Sequence, residues 1–326
     1  MNNNIYIYNN LLNDKINRII ELGTKRNFTT KCKDCQTENF QFKYKYKTIK
    51  ITDLDIHNLN IHNFINYDLY CEIMKCVLQE HKINYNLFNT NELNIIDGLY
   101  EQGSNKIYIE HKKNIFNSKK NKFSEHYGLL YFKANKLDKV VVQIKNRVEK
   151  NDPDIYMPVN DEEAYEVNYV FHTHPKTPYL GSRIKISIVY EFPSLSDILH
   201  FVEHHNRGMM LGSIVIAPEG IYNIRKNIFS RDRIKLDYDI FLSEMEEIYI
   251  SCFETSASQY KDINIKKIEN EYKIPEEEFY TQVSTNVNFI KKINYALEKY
   301  DLTIDFYNRI YLNNKWIFPT IYLPEI

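Results

Sequence analysis

The chain has 326 residues, with 42 Lys and Arg against 43 Asp and Glu, a formal net charge of −1, and hydrophobic and charged fractions of 43% and 26%. That composition supports a packed core over most of a length suited to about two domains, and it argues against nucleic-acid binding by bulk electrostatics. The longest apolar run, Met209 to Pro218, is too short to span a bilayer, and the polar start MNNNIYIYNN lacks a signal-peptide core, so an intracellular protein, cytoplasmic or nuclear, is expected.

Taken in chain order, Leu12, Ile16, Ile19 and Ile20 fall at helical spacing, with Gly23 placed to end the helix. A polar strand-and-loop segment is expected from Lys31 to Asp55, and a second helix from about Asp68 to Gln79. Tyr127 to Lys133, Val140 to Val148 and Val167 to His174 read as strands. Ser194 to His205 reads as a helix closed by Asn206-Arg207-Gly208, followed by a buried strand, Gly212 to Ala217. That strand turns at Pro218-Glu219-Gly220 into Ile221 to Arg225. Phe241, Met245, Ile248 and Cys252 form a helical stripe. Pro275 followed by three Glu predicts a helix start, with the helix running to about Tyr300 and Phe279, Val283, Val287 and Ile290 inward. A hairpin is expected around Asn313-Asn314, from Ile310 to Ile317. The alternation of strands and helices gives a mixed α/β layer fold.

Tyr (27) and Phe (18) are abundant whereas Gly (8) and Pro (9) are scarce. This is read first as a genome-wide bias, so the tyrosines are not taken as a stacking platform for nucleic acid. The scarcity is useful nonetheless. Seven of the eight Gly lie between Gly98 and Gly220, and six of the nine Pro between Pro153 and Pro218, which concentrates turns and close approaches in the middle third.

That third contains the chemistry. In Val170-Phe171-His172-Thr173-His174-Pro175, two histidines two apart on a strand face the same way, with Cα atoms roughly 6.6 Å apart, and can converge on one metal ion. Alone, the pair is equally two surface histidines. Pro193-Ser194-Leu195-Ser196-Asp197 opens an apolar helix; Ser194 and Asp197 suit a capping box, and the same first turn holds a carboxylate ready as a third ligand. Upstream, Ser124-Glu125-His126-Tyr127-Gly128-Leu129-Leu130 brings a Glu to the start of a strand.

Glu-x-x-Gly-Leu-Leu, then His-Thr-His-Pro, then Ser-x-x-Asp, in that order, resembles the JAMM motif of the MPN+ metalloprotease family. The likeness runs from Glu125 to Arg225. It implies an α/β MPN (JAB/JAMM) fold, a mixed β-sheet flanked by helices, with a core near residues 96–232 between an N-terminal extension, 1–95, and a mainly helical C-terminal extension, 233–326. It implies one catalytic Zn²⁺ held by His172, His174 and Asp197, with Glu125 as general base and Ser194 donating to the oxyanion of the tetrahedral intermediate. The substrate class it implies is an isopeptide or peptide bond after the C-terminus of ubiquitin or a ubiquitin-like protein, so the expected partners are such conjugates and neither membrane nor nucleic acid. The sequence departs from the family in the long stretch from Lys176 to Pro193, which reads as a surface hairpin or as an edge that guides an extended substrate tail.

Five cysteines, an odd count, argue against a disulfide framework. Cys32 and Cys35 resemble half of a structural zinc knuckle whose partners would be Cys71 and Cys76, or His57 and His62; Cys76 falls on an apolar helical stripe, and the gap from Cys35 to His57 exceeds the usual one. Cys252 reads as a core residue, and His200, His204 and His205 as surface groups or groups behind the site. The flanks carry no motif and either recruit substrate or complete a small core. Three functions stand against one another: a zinc isopeptidase, a non-catalytic MPN scaffold, and a hydrolase of the same fold acting on another peptide or amide. A zinc deaminase would need Pro-Cys-x-x-Cys, which the sequence lacks.

Overall fold

A computed structural model describes residues 41–44, 47–50, 84–103, 125–142, 162–174, 190–227, 230–259, 266–268, 271–273, 277, 279–283, 288–312 and 314–325. The helices expected before residue 80, the Cys32/Cys35 pair with its suggested partners, and most of the Lys176–Pro193 stretch lie outside them. A short antiparallel pair, β1 (Gln41–Tyr44) and β2 (Lys47–Lys50), precedes the main body. The body comprises β3 (Tyr85–Phe88), α1 (Thr90–Gly103), β4 (Tyr127–Lys133), β5 (Lys136–Val142), α2 (Glu162–Tyr165) and β6 (Tyr169–Thr173). It continues with α3 (Leu195–Arg207), β7 (Gly212–Ile216), β8 (Gly220–Lys226) and α4 (Tyr238–Gln259). After a small pair, β9 (Lys266–Ile268) and β10 (Glu271–Lys273), come α5 (Asn288–Leu297), β11 (Leu302–Asn308), the hairpin β12 (Ile310–Leu312) and β13 (Lys315–Ile317), and β14 (Ile321–Pro324).

Eight strands form one mixed sheet in the order β11-β8-β7-β6-β4-β5-β3-β14. Its pairs are antiparallel except β6–β7 and β5–β3. The sheet curls until it is nearly closed. The reason can be read from its last turn: β11 and β14 are the two edges, and the β12–β13 hairpin folds back on itself between them. Only Arg309 and Phe318-Pro319-Thr320 remain to bridge the edges. Arg309 stacks 3.8 Å over the Phe318 ring and donates to both carboxylate oxygens of Asp97 on α1, fixing the bridge to the helix.

Strand alternation sorts the core into two faces. Tyr169, Phe171, Ile214, Ile216, Ile221, Phe88, Ile321 and Leu323 pack with Leu93, Ile96 and Tyr100 of α1. The opposite face carries Leu129, Val170, Val215, Tyr222, Ile224 and Ile304, covered by Ile198, Phe201 and Val202 of α3, Phe241 and Met245 of α4, and Ile293 and Leu297 of α5. In the Phe241–Cys252 stripe Phe241, Met245 and Cys252 are buried as expected, and Ile248 is half-buried against the same core. Within the expected helix from Pro275 to Tyr300, Phe279–Val283 is a π-helical turn and Asn288–Leu297 is the α-helix α5. Phe279 packs into the core, and its half-buried neighbour Tyr280 lies against the same core with its ring 4.9 Å from that of Trp316 in the hairpin.

The sheet reaches beyond the expected core of 96–232. That stretch supplies β4 to β8 only; β3, β11 and β14 come from the flanks and complete the sheet at both ends. Arg225 of β8, buried at 2% exposure, donates from Nε and Nη2 to the two oxygens of Asp305 on β11, at 2.6 and 2.8 Å. Gly128, Gly208, Gly212 and Gly220 of the middle third mark close approaches: a Cβ on Gly128 would lie 2.4 Å from the Phe171 ring and 2.7 Å from the Val141 carbonyl, and one on Gly208 2.6 Å from the Tyr165 backbone. Among the described residues no helix is long and apolar enough to cross a membrane.

Candidate metal centre

Topology collects the site at one end of the sheet. β6 and β7 are parallel, and α3 is the helix of their crossover, so its N-terminus begins at the end where β6 finishes. β4 is antiparallel to β6, so its start lies at that same end. Tyr127 pairs with His172, and continuing this register by two residues sets Glu125 opposite His174. Directly opposed residues of an antiparallel pair share a face. His172, His174 and Glu125 therefore project from the face that α3 covers.

Four of the five expected site residues converge directly. His172 Nε2 lies 3.1 Å from His174 Nε2 and 3.2 Å from Asp197 Oδ1; His174 Nε2 lies 3.4 Å from Asp197 Oδ2. All three residues are buried, at 4%, 9% and 9% exposure. Ser194 is the N-cap of α3 and Asp197 its third helical residue: the Ser194 N–H and hydroxyl donate to Asp197 Oδ2 at 2.6 and 2.8 Å, and the Asp197 N–H returns to Ser194 Oγ at 3.2 Å. The capping box and the candidate ligand are thus one structure. The hydroxyl proton of Ser194 is directed at Asp197, so it must leave that oxygen before it can serve a substrate. Glu125 is half-buried beside this group.

Electrostatics follow from this packing. Burial alone would raise the Asp197 carboxyl, but the charge and hydrogen bonding of His172 and His174 outweigh it and hold Asp197 well below its ordinary value. Glu125 shifts the other way: burial raises it, the two imidazoles only partly counteract that, and Asp197 and Glu191 add to the rise. Nδ1 of His174 lies 2.7 Å from the Glu191 carbonyl oxygen, which can only accept, so Nδ1 carries a proton and Nε2 is the nitrogen that faces His172 and Asp197.

This donor set fits a metal ion. Three N and O ligand atoms meet without a hydrophobic residue between them, and no other group of three such side chains is found among the described residues. Two ligands of a tetrahedral zinc sit ~3.4 Å apart for bonds of ~2.1 Å, close to the separations seen here. The set of two imidazoles and one carboxylate leaves a fourth position, as in hydrolytic zinc sites.

No protein-family model and no solved structure matches the chain. A protein of Acanthamoeba polyphaga mimivirus, "Uncharacterized protein R413", is 34% identical over 313 residues, covering 90% of this chain and 84% of the relative. The chain belongs to that protein's family. An alignment of this extent reaches well beyond the stretch from Glu125 to Asp197.

The three other histidines of α3 lie elsewhere. His204 and His205 are buried, against expectation. His204 is stacked on Tyr165, with Nδ1 on the His200 carbonyl; His205 is set between the carbonyls of Met210 and Asp232. They fasten the far end of the helix. Glu219 and Glu191, which reach His174 through the Glu191 backbone, were not expected at the site; Tyr222 fell within the stretch that resembles the family, and the only signal at Glu219 was the Pro218-Glu219-Gly220 turn.

Proposed function

We propose that this protein is a zinc-dependent amide hydrolase of the JAMM type, with an MPN core extended by the flanking strands, and that it cleaves isopeptide bonds to ubiquitin or a ubiquitin-like protein. The observation that carries the reading is the convergence of His172, His174 and Asp197 beside Glu125, at one end of the sheet. The substrate class comes from the resemblance of the motif.

His172, His174 and Asp197 would hold the ion. When bound, zinc supplies Lewis acidity and brings the pKa of a water ligand toward about 7. Glu125 accepts the proton of the attacking water and delivers it to the departing amine as the carbon–nitrogen bond breaks. Its raised carboxyl pKa suits a group that must take a proton and then give it up. Ser194, once its hydroxyl turns from Asp197, donates to the carbonyl oxygen as negative charge develops there, while its backbone N–H keeps Asp197 in place.

The test is elemental analysis of the purified chain, followed by incubation with di-ubiquitin of each linkage and with ubiquitin-like conjugates. Cleavage is expected to stop with a chelator, to return with zinc, and to fall about 10²- to 10⁴-fold in Glu125→Gln. Cleavage that survives in Glu125→Gln would overturn the mechanism. Zinc binding with no cleavage of any conjugate would overturn the substrate assignment and leave another amide or a scaffold role.

A further inference from the structure

We propose that Glu219 is a positioning residue for this centre: through the backbone of Glu191 it sets the tautomer and direction of the His174 ring. The inference rests on the reading of His172, His174 and Asp197 as metal ligands.

Glu219 occupies the tight turn between β7 and β8, at the sheet end where the ligands gather, and is wholly buried. Its Oε1 accepts two hydrogen bonds, from the Tyr222 hydroxyl at 2.6 Å and from the Glu191 N–H at 2.9 Å. Its Oε2 is buried without a hydrogen-bond partner among the described residues. A carboxylate left in that state is costly, and an apolar side chain in the same turn would avoid the cost. What Glu219 does is hold one peptide. Glu191 receives Glu219 on its N–H and presents its carbonyl to His174 Nδ1 at 2.7 Å. The path runs from carboxylate to amide, along one residue, and from carbonyl to imidazole. Outer partners of this kind fix the tautomer and ring orientation of metal-binding histidines and raise their basicity.

A purely structural staple is the competing account, because the same loop is already fastened. Tyr190 and Phe192 pack on Phe289, and the Tyr249 hydroxyl donates to the Pro193 carbonyl at 3.0 Å. Those contacts hold the loop's side chains and its following residue; Glu219 alone among them engages the residue that contacts His174. The readouts must therefore report on the imidazole as well as on stability.

The experiment combines long-range ¹H–¹⁵N NMR of the imidazoles in metal-free protein with zinc titration against a chromophoric chelator, for wild type, Glu219→Gln and Glu219→Leu. In wild type His174 is expected as the Nδ1–H tautomer. Glu219→Gln keeps an acceptor at Oε1 and should hold that tautomer, with zinc affinity within about twofold. Glu219→Leu should mix the tautomers and weaken zinc about 10-fold, at the low end of the effect of such outer partners. An Nε2–H tautomer in wild type, an unchanged tautomer and affinity in folded Glu219→Leu, or an equal loss in Glu219→Gln each overturns the proposal. Should Glu219→Leu not fold, the wild-type tautomer and the Gln variant decide. Wild type that binds no zinc overturns the metal-centre reading itself, and the tautomer of the metal-free variants then decides the role of Glu219 separately.

Discussion

Asp197 shows how one side chain can be legible twice. Its spacing from Ser194 announced a helix cap, its place after the histidine pair announced a ligand, and the structure shows the cap and the histidine contacts on the same carboxylate. Asp197→Asn retains an oxygen for the cap but loses the charge that faces two imidazoles, so zinc affinity should fall at least about 100-fold, read by chelator competition. Glu219 was not legible, because a Glu between Pro and Gly reads as a solvated turn; its burial arises from Tyr222 and the distant loop at Glu191, which no local pattern announces. Burial raises its carboxyl to about 7 from an ordinary 4.5, against the hydrogen bonds from Tyr222 and the backbone, which lower it. An acid whose folded-state pKa is raised contributes stability below its unfolded value and loses it as pH rises through the folded one. Wild type should thus lose on the order of 3 kcal/mol of this contribution between about pH 4.5 and pH 8, whereas Glu219→Gln should show a flatter urea-denaturation profile over the same range. Parallel profiles would rule out this titration.

Among the elements, β4, β6, β7, β8 and α3 were read within a few residues, since their apolar periodicity and the scarce Gly and Pro acted together, whereas α1 and the single turn α2 were not read. The π-helical turn at Phe279–Val283 was not read either, because the apolar spacing that announces an α-helix does not distinguish a single π turn within it. The glycines divide by contact. Gly98 lies on α1 with open space around its Cα, so Gly98→Ala should raise stability by about 0.5–1 kcal/mol. Gly128→Ala forces β4 against Phe171 and the Val141 carbonyl and should cost about 1–3 kcal/mol; equilibrium denaturation of the pair checks both signs. The same rarity of Gly that pointed to the middle third therefore marked a necessity at Gly128 and none at Gly98.

For the whole molecule, the motif made a core visible between residues 96 and 232 but could not show where its sheet ends. Sheet edges are completed by pairing across long sequence separations, and β3, β11 and β14 carry no signature of their partners. A fragment of residues 96–232 lacks the neighbours of β5 and β8 and leaves Arg225 buried without Asp305. It should show no dispersed NMR spectrum, while the full chain unfolds cooperatively; within the full chain Asp305→Ala should cost about 3–5 kcal/mol. The placing of β11 and β14 has a further consequence, for the order in which the protein comes into being. Both outer strands follow residue 301, so a ribosome delivers every other strand of the sheet while its two margins are still bare. For that interval the nascent chain presents unpaired backbone at both margins, the template on which strands of separate chains pair. Its hazard during synthesis is joining to another copy of itself, and the step that removes the hazard is the arrival of the segment that Arg309 pins to α1.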